Sequence, residues 1–292
     1  HEQEFEFKTS FLTRRSTGRQ KRGAFGSLRL RYGAGYLSVK FQGEYVHSLK
    51  AKALYDHIDF FRDLVNGRLA KGPQEEESFS DYAKRSLKLN DEKDWNFICS
   101  GMDLIGDTSS SLDHFLKFGM EGVSRYNEVG EKYLRLYGAL NSTYIQQEAV
   151  FAICKLCQLP EQSIFRDKLE KLEIRDIRHK LGAHSIDYID KQKEEVLSFV
   201  PVRADMGGLN LNYVNNNDLS QSSVNLLSGI NEHLDLMTDI IYATLEKIKK
   251  TLYKSNRDKL EEIDKGLEEL RVKRSGGCIF DNNDGTRTIF RP

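Results

Sequence analysis

The sequence is poor in the residues that interrupt helices or staple small folds. Only four prolines occur in 292 residues, so few rings remove a backbone N–H and long helices are permitted. The four cysteines, Cys99, Cys154, Cys157 and Cys278, follow no disulfide-framework spacing, in keeping with a reducing interior. Cys154 and Cys157 form a CxxC, a spacing open to redox chemistry or to half of a zinc site. No second CxxC and no matching histidine pair accompanies it. The surrounding "AVFAICKLC" fits a buried helix better, with cysteine as a small hydrophobe. No stretch approaches the roughly 18 consecutive apolar residues of a membrane span. The opening "HEQEFEFK" has neither the basic start nor the apolar run of a signal peptide, so a cytoplasmic chain without a membrane partner is expected. Net charge is absent as well: 44 Lys and Arg balance 44 Asp and Glu. Global attraction to nucleic acid is thereby excluded, and any such binding must come from a local patch.

One local patch stands near the start. Between residues 8 and 31 the chain carries Lys8, Arg14, Arg15, Arg19, Lys21, Arg22, Arg29 and Arg31 without one acid, interleaved with Phe11 and Phe25. Such a run reads either as a solvated arm or as a phosphate-contacting surface, with aromatics on which single-stranded bases stack. Within it, "SLRLRYGAGYLSVKF" alternates apolar and polar residues around glycines, the pattern of a hairpin.

Helical periodicity dominates the rest. Leu54, Ile58, Phe61 and Val65 predict an amphipathic helix over about 49–70. "KGPQEEES" breaks it and makes 71–80 a linker. "SSSLDHFLKFGMEG" reads as serine caps before a helix. "NEVGEKYLRLYGALNSTYIQQEAVFAICKLCQLP" reads as two helices or one bent one, and a third starts near Glu161. "VLSFVPVRADMGGLNLNYVN" is two extended runs around a turn. Ile230, Leu234, Met237, Ile241, Leu245, Ile248 and Leu252 then repeat at near-heptad spacing, and Leu260, Ile263, Leu267 and Leu270 continue it after "KSN". That pattern fits a long helix, a helical hairpin arm or an oligomer seam. "CIFDNNDGTRTIFRP" closes the chain as a small hairpin. The expected fold is mainly α: an N-terminal α+β region with the basic arm over 1–90, a helical domain over 91–275 (core about 95–200, inserted hairpin about 196–216), and a hairpin tail over 276–292.

The candidate site lies in "RDIRHKLGAHSIDY", residues 175–188. Ile174, Ile177, Leu181, His184 and Tyr188 step by three and four, so an unbroken helix would bury His184 on one stripe. Arg178 lies six residues before His184, roughly 240° around a straight helix. A bend at Gly182 or a second copy about a twofold axis would be needed to join them. An arginine and an imidazole sharing a dry cleft suit charge stabilisation and proton transfer.

"IRDIRHKLGAHS" resembles the signature of the HEPN superfamily, the higher eukaryotes and prokaryotes nucleotide-binding domains. In that signature an arginine and a polar residue are followed, after a short spacer, by a histidine. Arg178 matches the arginine, His179 the polar residue and His184 the histidine. The family most often has asparagine or aspartate where His179 stands. "KYLRLYGALNSTYIQQEAV" is similar to the helix pair of HEPN proteins in bacterial abortive infection, and the likeness spans roughly residues 95–200. It implies a homodimeric helical bundle acting as a metal-independent endoribonuclease, a toxin or phage-defence effector with an antitoxin or defence-system partner. No cofactor is implied. In that reading His184 moves the proton, Arg178 holds the phosphate and His179 orients it or tunes His184. Lys180 and Arg175 add positive potential, and Arg14, Arg15, Arg19, Lys21 and Arg22 contact RNA. Some members have lost catalysis, which keeps open a non-catalytic dimerisation or nucleotide-binding module, or a sensor subunit. His47, His57, His114 and His233 are scattered and read as surface or packing residues. Asp103 and Asp107, four apart, lack a third metal ligand.

Overall fold

The computed structural model describes residues 29–32, 35–38, 48–124, 127–190, 194–282 and 286–291. The chain divides into two units, residues 1–46 and 47–292. In the first, β1 (Arg29–Tyr32) and β2 (Gly35–Ser38) form the expected antiparallel hairpin, with Tyr32 opposite Gly35. Arg14, Arg15, Arg19, Lys21, Arg22 and His47 lie outside the described residues.

The second unit is mainly helical. Its elements run α1 (Leu49–Leu69), α2 (Phe79–Leu87), α3 (Asp94–Phe118), α4 (Val129–Leu156), α5 (Gln162–Leu169) and α6 (Glu173–Arg178), then β3 (Tyr188–Asp190), β4 (Glu195–Leu197), β5 (Phe199–Pro201), β6 (Asn210–Asn215) and β7 (Gln221–Asn225), and finally α7 (Leu226–Leu252), α8 (Arg257–Arg274), β8 (Cys278–Asp281) and β9 (Arg287–Phe290). Leu54, Ile58, Phe61 and Val65 are all buried on α1, as their spacing requires. The near-heptad stripe of α7 is buried from Ile230 to Leu252. It packs against α1 and α4, so this face lies inside the core rather than forming an oligomer seam. The hairpin-arm reading holds: Asn256 accepts from the Lys259 N–H and starts α8 after the break.

Three expectations change and one alternative is resolved. The compact unit begins at residue 47, so α1 and α2 belong to the helical bundle and not to a separate region ending near 90. The reason is packing: α1 supplies apolar side chains that α3 and α7 cover. Ser109, Ser110 and Ser111 lie inside α3 and do not cap it. The Ser109 and Ser110 hydroxyls donate to the carbonyls of Ile105 and Gly106, one turn back, at 2.7 and 3.1 Å. Of the two readings left open for the stretch before Pro160, the single helix holds: it is α4, whose first turn is capped by the Glu128 carboxylate accepting from the Glu131 N–H. The inserted hairpin is a three-stranded antiparallel sheet in the order β5-β6-β7. Its third strand, "QSSVN", is mostly exposed and carries too little apolar alternation to be recognised from sequence. The β5–β6 connection is pinned to the bundle, since the Glu121 carboxylate accepts from the Gly208 N–H at 2.7 Å and the Met120 N–H donates to the Gly208 carbonyl at 3.0 Å. The terminal β8–β9 hairpin forms as expected.

Candidate functional site

The helix expected from Glu161 onward is two short helices, α5 and α6, followed by a single π turn over His179–Ala183. Ile174, Ile177 and Leu181 keep the buried stripe, each no more than 2% exposed. The stripe fails at its fourth member. The chain leaves the helix after Ala183 and turns towards the small sheets, where the Phe199 N–H donates to the Ser185 carbonyl at 2.7 Å. His184 is therefore exposed, with half of its side chain in solvent (53%), and not buried as an unbroken helix would require.

The π turn decides which groups meet. The His184 N–H donates to the His179 carbonyl at 2.8 Å, a bond between residues five apart instead of four. That closure brings the side chains at 179 and 184 alongside each other. Their imidazoles stack, with centroids 5.9 Å apart and planes 19° from parallel. His184 Nδ1 lies 3.2 Å from the Asp187 carboxylate. His179 is half-buried and its pKa lies below the ordinary histidine value. Burial is the largest cause, and the positive fields of Arg175, Arg178 and His184 add to it.

The cations of the motif are held differently. Arg178 lies over the face of Tyr144 on α4, its guanidinium carbon 4.0 Å from the ring centre, and among the described residues no ion pair engages it. Arg175 donates to the Gln147 side-chain carbonyl and to the Glu170 carboxylate, both at 2.9 Å. Lys180 pairs with Asp176 at 2.7 Å. Its ammonium also lies between 5.3 and 5.9 Å from the ring centres of Tyr188, Phe199 and Tyr213. The Tyr188 hydroxyl donates to the same Asp176 carboxylate at 2.9 Å. Burial, then that bond, pushes the Tyr188 pKa up to about 12. Lys180 thus ties the π turn to β3, β5 and β6.

Most of these groups line one cleft of about 660 Å³, and Arg178, over Tyr144, is not among its lining residues. Its walls include Arg175, His179, Lys180 and His184 from the motif, with Glu170, Asp176, Asp187 and Asp190 beside them. The sequence places Tyr188 only on the apolar stripe, and nothing in it marks the acidic members or the aromatic cage, because Asp187 and Tyr188 follow the motif as ordinary turn and strand residues. Among the described residues, no group of three or more His, Cys, Asp or Glu side chains is arranged to hold a metal ion. Asp103 instead pairs with Arg62 at 3.3 Å. The CxxC belongs to the packed interior: Cys154 is buried against Thr244 at 3.3 Å, and burial pushes both thiols up to about 12, far from reactive thiolate chemistry. Among the described residues, no helix is long and apolar enough to cross a membrane. No family model, curated protein or solved structure matches the chain.

Proposed function

We propose that the chain is a metal-independent endoribonuclease of the HEPN type, a toxin or defence effector whose RNA enters the cleft beside the π turn. The observation that carries this reading is the stacked pair His179 and His184, two imidazoles 5.9 Å apart on the wall of a cleft that also holds Arg175. RNA cleavage without a metal needs one group to accept a proton and another to donate one. His179, with its depressed pKa, is neutral near pH 7 and takes the proton from a ribose 2′-hydroxyl. The 2′-oxygen forms a bond to phosphorus as the bond to the 5′-oxygen breaks. His184, oriented by Asp187, gives a proton to that leaving oxygen. The products are a 2′,3′-cyclic phosphate and a free 5′-hydroxyl. Charge on the phosphorane is met by guanidinium groups: Arg175 in the cleft, and Arg178, which has no ion pair among the described residues and is supplied across a homodimer.

The test is cleavage of a structured RNA in EDTA. Wild type is expected to yield cyclic-phosphate ends. His179→Ala and His184→Ala each lose about 100- to 10,000-fold in rate, and Arg178→Ala about 100- to 1,000-fold. Equal rates in all four proteins would remove the proposal.

A second reading is a non-catalytic helical interaction module. The feature favouring it is the internal neutralisation of Lys180 by Asp176 and of Arg175 by Glu170, which lowers the cleft's attraction for a polyanion. RNA that is neither bound nor cut by a folded protein selects this reading.

A further inference from the structure

A chain of buried hydrogen bonds runs from α3 through α4 and α7 to the cleft, and its direction is forced at both ends. At the α3 end, the Thr108 and Ser109 hydroxyls donate to the carbonyls of Leu104 and Ile105 at 2.6 and 2.7 Å. With their protons so engaged, they can only accept from Gln146, whose amide nitrogen lies 3.0 and 3.1 Å away. The Gln146 carbonyl therefore faces His233 Nε2, at 2.8 Å, and that nitrogen must carry the proton. His233 Nδ1 is left as an acceptor, and the Gln147 amide nitrogen stands 3.4 Å from it. The Gln147 carbonyl is then turned to Arg175, which donates to it at 2.9 Å. Arginine is a donor only, so the cleft end demands the same polarity that the α3 end imposes. Every side chain between them (Gln146, His233 and Gln147) is buried. Complete burial also keeps His233 neutral, with its pKa pushed down to about 3, and a neutral ring is what this arrangement needs.

The cost of this layer is visible. Polar groups lie among the apolar stripes of α4 and α7, and the buried Nε of Arg175 has no hydrogen-bond partner, an arrangement that costs stability. An apolar residue at 233 would continue the Ile230–Leu234–Met237 stripe but leave the buried Gln146 carbonyl and Gln147 amide without their partner.

We propose that His233, with Gln146 and Gln147, is a positioning residue that fixes the Arg175 guanidinium in the cleft as its phosphate anchor. The relay offers Arg175 a neutral acceptor opposite the Glu170 carboxylate. The guanidinium is held in one orientation before a phosphate arrives, and one of its two partners adds no negative charge to the site. The proposal rests on the reading of the cleft as a phosphate site, and its consequences can be read apart from RNA cleavage.

The experiment compares wild type with Gln147→Leu and His233→Gln by two measurements. The first is the affinity for inorganic phosphate, followed by NMR shift titration. The second is the exchange of the Arg175 side-chain N–H signals. Wild type should bind phosphate and show slowly exchanging Arg175 protons. Gln147→Leu should bind phosphate about tenfold more weakly, as expected for a lost hydrogen bond to a charged group. Its Arg175 signals should average, and KM for RNA should rise more than kcat falls. His233→Gln, which keeps a polar side chain in the layer, guards against a folding defect and should show a smaller shift in the same direction. A folded Gln147→Leu protein with unchanged phosphate affinity and unchanged Arg175 exchange would overturn the proposal, because a merely structural layer changes stability alone. Wild type that binds no phosphate would also overturn it. Phosphate binding that depends on Gln147 while RNA stays intact would sustain the anchor and end the ribonuclease reading.

Discussion

At the residue scale, three histidines in this chain show how environment sets one side chain apart from another. His184 is half in solvent beside a carboxylate, His179 is half-buried among cations, and His233 is sealed in the core. The last has a measurable consequence for stability. An unfolded imidazole titrates near 6.5, whereas folded His233 resists protonation down to about 3. Between those values the unfolded chain binds a proton that the folded chain refuses. Stability is therefore fully present above about pH 6.5 and falls as pH drops through the window, by about 1.4 kcal/mol per pH unit from this group. His57 acts in the same direction, its pKa lowered chiefly by burial. Urea midpoints measured from pH 7 to pH 4 should show this decline, and His233→Gln should flatten it by about one proton's worth. An identical slope in the variant would mean that position 233 is not the group refusing the proton. The sequence carries a trace of this role: a histidine between Ile230 and Leu234 on an apolar stripe, and adjacent glutamines at 146 and 147 within "STYIQQEAVFAI". Each alone reads as packing, and only their meeting across α4 and α7 makes a relay.

At the scale of elements, the long amphipathic helices were legible because their apolar residues recur over many turns. α1, α7 and α8 follow the stripes that named them. The motif segment was less legible, because six residues of α6 and one π turn leave too few repeats for periodicity to count. A spacing of five joins His179 to His184 only where the backbone closes on the fifth residue, and tertiary bonds such as Phe199 to Ser185 decide that. What lets this segment approach the bundle is Gly229 on α7. A Cβ there would stand 3.3 Å from the Ile174 Cβ on α6, already tighter than usual. Gly229→Val adds two methyl groups at that contact and is expected to cost about 1–3 kcal/mol by overpacking. It should also lower activity by displacing α6. Gly182, inside the π turn, is the control. A Cβ there meets its nearest neighbours at 3.9 Å, so Gly182→Ala should fall within about 1 kcal/mol of wild type, on the stabilising side through helix propensity. Thermal or urea unfolding of both variants checks the pair. A destabilised Gly182→Ala protein would mean that the π turn needs glycine for a backbone reason absent from this geometry.

At the scale of the whole molecule, the open matter is where Arg178 acts. Within one chain its guanidinium stacks on Tyr144, while the imidazole of His184 stacks with His179, so a single subunit brings together the two histidines and leaves the arginine of the motif on another ring. The ribonuclease reading assigns Arg178 to the site of a second copy, and that assignment predicts an arithmetic result. Arg178→Ala and His184→Ala homodimers each lack one group at both sites. In a heterodimer of the two, one composite site lacks both groups and the other is complete. Random exchange of equal amounts makes about half of the dimers mixed, each with one working site of two, so about one quarter of wild-type activity should return on mixing. Arginine acting in its own subunit gives a different outcome: the mixture stays as inactive as its components, because no chain carries both groups. The measurement is RNA cleavage after the two variants are mixed and given time to exchange, with a covalently tagged wild-type pair reporting that exchange has occurred. Recovery near one quarter fixes the site across a symmetry axis, whereas no recovery after proven exchange confines the chemistry to one chain and removes the role of Arg178 as a group supplied by a partner.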